Sequence, residues 1–431
     1  RVVFVVVVCV LWVGVGGVGV GWWGGGGGRE GGGGGGGGGS ASTTTPSTYD
    51  IAAASTATAS SVGFGPISAG TADTAIVSGA DRIADMTASV GDTWRLIFNS
   101  STNAFALKAI SSAYGLSGSS PIGTLTKSVS GNIESYTGNF GTATQPNSGS
   151  VSIQYDTRTR SLIGSVTWIN SAGTSITSDV TGTSMATNST SISGLAGNYV
   201  FANQARNQSD GQNKASTAGT LNIDSTGIVS FCPGLKFSNG ACLKLDGTAP
   251  TDGSQDPVTA QLTATSGAAL TLTTHGTKTF DFGSNTDVKV LVQAGDLGPV
   301  LVIDQDWLNS SSIRRTGVMV AARIGTIDSA KFAGTFNCPT VQIGSEPAGA
   351  TLTVTSTTFS GQKNSSTATA NVALNKIYDV GSAVERDFAG AFHMTGTFNG
   401  ATLHQFGFAL SSSLFVFQNA DGTRLNFCHR V

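Results

Sequence analysis

The sequence predicts an all-β protein: two to three antiparallel β-sandwich or up-and-down barrel-like units after a disordered Gly- and Ser/Thr-rich N-terminal tether. Three observations predict this. Short runs rich in Val, Ile, Thr, Phe and Tyr recur along the chain, divided by Gly, Asn, Asp and Ser. Helical periodicity is scarce, with at most a turn or two at 80–86. Finally, 19 of the 60 Gly residues fall within the first 39 positions, ahead of a Ser/Thr/Ala stretch with nothing large to bury.

Composition narrows the function. The chain has 431 residues, a formal net charge of -2 and only 11% charged residues. No basic excess exists to meet a phosphate backbone, so nucleic acid is excluded as a partner. No G-X-Y period exists, which excludes collagen. Hydrophobic residues at 39% suffice for two or three folded domains.

Residues 1–39 form an apolar, signal- or anchor-like segment with a poly-Gly run. Three readings compete: an export signal, an uncleaved membrane anchor, and low-complexity or out-of-frame translation. Val8 precedes Cys9 where a lipoprotein acceptor needs a small residue, so that motif fails. In organisation alone, a poly-Gly tether before a Ser/Thr segment resembles the stalks of some Gram-negative surface lipoproteins. Residues 40–66 read as a disordered linker.

Three β-units are expected next, over 67–192, 193–327 and 328–431. Candidate strands are 94–98, 151–155, 161–168, 219–223, 258–265, 269–274, 288–292 and 300–303. At the C-terminus, 392–398 and 401–410 flank Asn399-Gly400, a type I′ hairpin signal that pairs Phe398 with Ala401. Strands 414–418 and 424–427 extend this to a meander. Three pairs of segments resemble one another: Ala196–Tyr199 with Ala333–Phe336, Leu221–Thr226 with Leu352–Thr357, and Leu301–Gln305 with Leu414–Gln418. Their order suggests that the second and third units are related repeats. The polar stretch 203–216 reads as a long exposed loop suited to binding.

Outside the N-terminal segment there are four cysteines, Cys232, Cys242, Cys338 and Cys428. An even number beside export features suggests disulfides. The favoured pairs are Cys232–Cys242, a short local loop, and Cys338–Cys428, which ties the first strand of the last unit to its last. No spacing suits zinc.

Motifs for chemistry are few. Gly182–Ala186 resembles the nucleophile motif of subtilisin-like proteases around Ser184, and His275-Gly276-Thr277 their histidine motif. The order is wrong, however, the following Pro-His is missing, and the family fold is α/β. His393 and His404 are expected as diagonal neighbours on an exposed, Thr-rich face without a carboxylate beside them. Two such imidazoles could bridge a metal with His429 as third ligand, but solvated surface is the preferred reading. Asp210, Asp252, Asp256, Asp304 and Asp306 lie in or beside loops and could hold calcium, but no segment has the dense pattern of a calcium site, so turn chemistry is the preferred reading. Trp94, Trp168, Tyr136 and Tyr155 could stack on sugars but are better explained as core.

The expected role is non-enzymatic: a secreted or cell-surface-tethered protein for display, adhesion or ligand capture, with no cofactor and no metal. Its partner would be an extracellular ligand or a host or matrix surface, with a possible membrane tether through the N-terminus. The alternatives are a carbohydrate-binding module or glycan-active enzyme, with Asp304, Asp306 and Glu385 as available carboxylates, and a structural coat or filament subunit.

Overall fold

The computed structural model describes residues 49–431 except 115, 117, 119–120, 142–147, 170–172, 188–190, 210, 215–216, 265–268, 277–287, 309–312, 342, 344–347, 380–381, 399–400 and 420–421. The apolar N-terminal segment, the poly-Gly run, Asp210 and the Asn399-Gly400 turn therefore lie outside the described residues.

Alternating apolar and polar positions give strands with one face to bury. The chain buries that face by closing its sheets rather than stacking them, so barrels and not sandwiches result. The first barrel has eight antiparallel strands from Arg82–Ala88 to Ser175–Thr183, and these two pair to close it, with Met86 opposite Gly182. The second runs from Gly197–Asn207 to Arg314–Arg323 and closes with Phe201 opposite Ala321. The third runs from Gly334–Cys338 to Leu425–Arg430 and closes with Phe336 opposite Arg430. Closure pairs the first strand of each barrel with its last, which removes the edges those strands would otherwise present. The helical turn expected at 80–86 is corrected: Arg82–Ala88 is the first strand of the first barrel, with Ala84, Met86 and Ala88 alternating into its core.

Each barrel has its own apolar interior. A further cluster lies between barrels, where Ile163 of the first meets Val200, Val302 and Val320 of the second and Phe408, Leu414 and Phe427 of the third. Strand faces that alternation assigns to solvent are thus buried by a neighbouring barrel. The loop expected at 203–216 is corrected at its start, which continues the first strand of the second barrel. Asn203, Gln204 and Asn207 belong to strand Gly197–Asn207 and are buried, and Gln204 Oε1 accepts from Leu425 N of the third barrel at 2.8 Å. Asp304 and Asp306, expected in or beside loops after a strand ending at Ile303, lie within the longer strand Gly298–Leu308; Asp304 is buried and accepts from Thr93 Oγ1 of the first barrel at 2.6 Å.

The linker expected at 40–66 also needs correction. Residues Ile51–Ser61 form a helix, N-capped by the Asp50 side chain on Ala53 N at 3.0 Å. Ile51, Ser55 and Ala59, spaced four apart, are its buried residues, and Ala59, Val62 and Phe64 join the core of the second barrel. Small side chains let the helix approach closely, so bulk is not needed for burial.

Both disulfides form as paired above. Cys338 and Cys428 join the first and last strands of the third barrel beside a seam of two residue pairs, Phe336↔Arg430 and Asn337↔His429. Cys232–Cys242 ties the hairpin of Lys236–Ser238 and Ala241–Leu243 to the second barrel. Such bonds suit an oxidising compartment.

The three matched segment pairs occupy equivalent places, on the first, second and seventh strands of the second and third barrels. Arg323 and Arg430, at the ends of the last strands, lie against Gly197 and Gly334. A Cβ at either glycine would stand within 3 Å of the guanidinium. Each arginine also donates to the carbonyl just before its glycine, Ala196 or Ala333.

Candidate ligand cavity in the first barrel

An eight-stranded barrel is just wide enough to be filled by its own side chains or to hold one small ligand. The first barrel does both, at opposite ends. At one end Trp94 and Trp168 pack edge-to-face at 4.8 Å, with Phe140, Leu116 and Pro121 around them, leaving a void of about 20 Å³. The other end holds a cavity of about 400 Å³, within the range of small-molecule sites, roughly 300–1,000 Å³.

The strand alternation that builds the core also builds this cavity. Inward positions carry Ala84, Leu96, Phe98, Ile153 and Leu162, which form its apolar wall. Along the same inward phase the residue type changes to Arg82 and Tyr155, which line the cavity with Tyr136, and to Lys127 and Glu134 bonded behind them. Arg82 Nη1 donates to the Glu134 carboxylate and to Tyr136 Oη at 3.0 Å. Lys127 Nζ donates to Glu134 Oε1 at 2.6 Å, and Tyr136 Oη to Glu134 Oε2 at 2.6 Å. Burial alone would raise the Glu134 pKa, but these three donors together hold it below its usual value. Burial, then the bond to Glu134, pushes the Tyr136 phenol up, and burial does the same for Tyr155. Both hydroxyls therefore stay protonated.

The mouth is bordered by Asp81, Thr157, Arg160 and Ser184 and crossed by Pro66 and Ile67. This strap pairs Gly65 with Ala186 and Pro66 with Met185, and Ile67 N donates to Ser184 O at 3.2 Å. Asp81 accepts from the backbone and the hydroxyl of Ser100.

Several predicted site residues meet here for reasons other than those expected. Ser184 lines the mouth but donates its hydroxyl to Ile83 O at 2.6 Å, while His275 ends a strand of the second barrel. Tyr136 and Tyr155 line the cavity, whereas Trp94 and Trp168 plug the far end. Sequence reading missed Arg82, Lys127, Glu134 and Arg160.

The histidine expectations are corrected in part. His393 and His404 are the diagonal neighbours expected, with Phe398 opposite Ala401. However, His393 is buried, and Glu385 Oε1 accepts from its Nδ1 at 2.7 Å, so a carboxylate does adjoin it. Its Nε2 shares a hydrogen bond with His404 Nδ1 at 2.9 Å. The ring centroids are 5.1 Å apart and the planes differ by 14°, so the nitrogens face one another along the bond. Two imidazole nitrogens on one tetrahedral zinc would stand about 3.3 Å apart and each point at the ion rather than at the other. Tyr378 stacks over His404 at 3.8 Å. His429 is elsewhere, buried against Ser161 Oγ at 3.1 Å. Among the described residues, no three His, Cys, Asp or Glu side chains form a metal-binding group. Asp252 caps its own turn on Ser254, and Asp256 lies in the same loop region.

No family model matches the chain, and no curated protein matches it. Among solved structures it is similar to a protein of unknown function from the DUF3598 family of Nostoc punctiforme PCC 73102. The identity is 11%, over 56% of this chain and 94% of that one, with a TM-score of 0.20.

Proposed function

We propose that the protein is a non-enzymatic ligand-capture protein that holds one small molecule in the open end of its first barrel. The observation that carries this reading is the cavity of about 400 Å³, apolar in its depth and polar at its mouth. Capture without turnover is supported by Ser184, whose hydroxyl is committed to a backbone carbonyl rather than to a base. The two disulfides support a secreted or surface-tethered setting, with the apolar N-terminal segment as export signal or anchor. The shared placement of the matched segments supports descent of the second and third barrels from one repeated unit, with the first barrel carrying the site.

The test is uptake of the neutral fluorescent probe 1-aminoanthracene. Wild type is expected to bind it at one site, and Ala84→Phe, which fills the cavity, to lose that binding without losing the fold. Undiminished binding by a folded Ala84→Phe variant would overturn the reading.

A further inference from the structure

The cavity is lined by two cations, Arg82 and Arg160, and one carboxylate, Asp81, with Glu134 and Lys127 bonded behind Arg82. Glu134 is shared by Arg82 and Lys127, and Asp81 is occupied by Ser100. Arg160 is different. Among the described residues its guanidinium donates no hydrogen bond and has no carboxylate within 4 Å, although it lies close enough to Tyr155 to act on that phenol.

Its backbone is also held in an unusual way. Arg160 has φ +57, a left-handed conformation that non-glycine residues seldom take. Two bonds pin it there: Arg160 N donates to Asp156 O at 2.8 Å, and Ser184 N donates to Arg160 O at 3.0 Å. Asn or Gly would suit that turn better, so the turn itself does not call for arginine. The arrangement places a cation without a salt-bridge partner over an apolar shaft of Leu96, Phe98, Ile153 and Leu162.

Resting on the capture reading, we infer that the ligand is a medium-chain monocarboxylic acid whose carboxylate seats on Arg160 and whose apolar body fills the shaft. An arginine–carboxylate contact is charge-assisted and can be bidentate. The protonated Tyr155 hydroxyl stands at the same rim as a second donor. One cation without a partner matches one negative charge.

Isothermal titration with decanoate and with decanol separates head group from chain. Wild type is expected to bind decanoate at least roughly tenfold more tightly than decanol, as one charge-assisted contact implies. Arg160→Gln should bring decanoate to the level of decanol and leave decanol unchanged. Arg160→Lys, which keeps the charge, should retain the preference, and this control separates loss of charge from loss of fold. Equal binding of the two probes by wild type, or a preference that survives Arg160→Gln, overturns the carboxylate inference while leaving capture intact. Failure of both probes to bind or to displace bound 1-aminoanthracene overturns the medium-chain acid inference, whereas failure of 1-aminoanthracene itself to bind overturns the capture reading.

Discussion

Arg424 of the third barrel and Asp179 of the first form a two-pronged ion pair, with Nε–Oδ2 and Nη2–Oδ1 both at 2.9 Å. Burial raises the Asp179 pKa, and Arg424 opposes that shift. The pair shares the seam between these barrels with Arg158, which donates to Arg430 O at 2.9 Å, and with the Ser161–His429 bond. Arg424→Gln would leave a largely buried carboxylate without its cation. Because Arg424 is partly exposed, the expected cost is modest, about 1–3 kcal/mol. Asp179→Asn in the Arg424→Gln background should recover part of it, and a double-mutant cycle by thermal unfolding measures the coupling.

His429 gives the same seam a pH dependence. Burial lowers its pKa to about 4, against 6.5 ordinarily. The unfolded chain therefore binds the proton more readily across that window, and stability falls as pH drops from about 6.5 towards 4. The linkage is worth up to about 3 kcal/mol. Asp92, which burial pushes up to about 6, acts in the opposite sense: it is protonated more readily when folded, and its contribution is lost as pH rises from about 4 to 6. Between pH 4 and 7 the thermal midpoint should therefore rise less with pH, or fall, in His429→Gln, and rise more steeply in Asp92→Asn. Profiles unchanged from wild type in both variants would contradict these assignments.

The disulfides should differ in weight. Cys338–Cys428 spans 90 residues and Cys232–Cys242 spans 10. Chain entropy gives about 4–5 kcal/mol for the first and about 2–3 for the second. Chemical denaturation of Cys338→Ala/Cys428→Ala should show the larger loss. Hydrogen exchange should rise first at 334–338 and 425–430, where only two residue pairs complete the seam.

Gly91 sets how closely the first two barrels approach. It has φ +84, and a Cβ there would stand 2.5 Å from Gln305 O and 2.6 Å from the Thr316 side chain. Gly91→Ala is expected to destabilise by more than 1 kcal/mol through clash and backbone strain together. Thermal unfolding checks this, and a neutral effect would show that the barrels can separate without cost.

The class of fold was legible because Val, Ile, Thr and Phe recur with turn residues at strand spacing, and the hairpin pairing of Phe398 with Ala401 followed from Asn399-Gly400. Barrels were one of the two expected architectures, and Cys338–Cys428 joined the ends of the third; closure of the first barrel left no local signal, since 82–88 finds 175–183 across the whole unit. Gln204 and Asp304 were misplaced because alternation shows two faces of a strand but not that a neighbouring barrel covers the outer one; Asn203 was misplaced because a polar residue continues the inward phase of Tyr199 and Phe201 and bonds Gln305 inside the second barrel. The helix at 51–61 escaped because its buried stripe is Ile, Ser and Ala rather than large side chains. The cavity left a faint trace. Arg82 precedes Ala84 and Met86, Lys127 follows Leu125, and Tyr155 follows Ile153, so polar residues continue the inward phase of core residues. That signal becomes readable only once the strands are known to close.

The central claim is that the first barrel holds the ligand, and methyl NMR during a decanoate titration tests where binding occurs. The account predicts shifts at Ile83, Leu96, Ile153 and Leu162, with Leu352 and Val354 of the third barrel and Leu221 and Ile223 of the second unmoved. Shifts confined to the second or third barrel, or none at saturating decanoate, would contradict it.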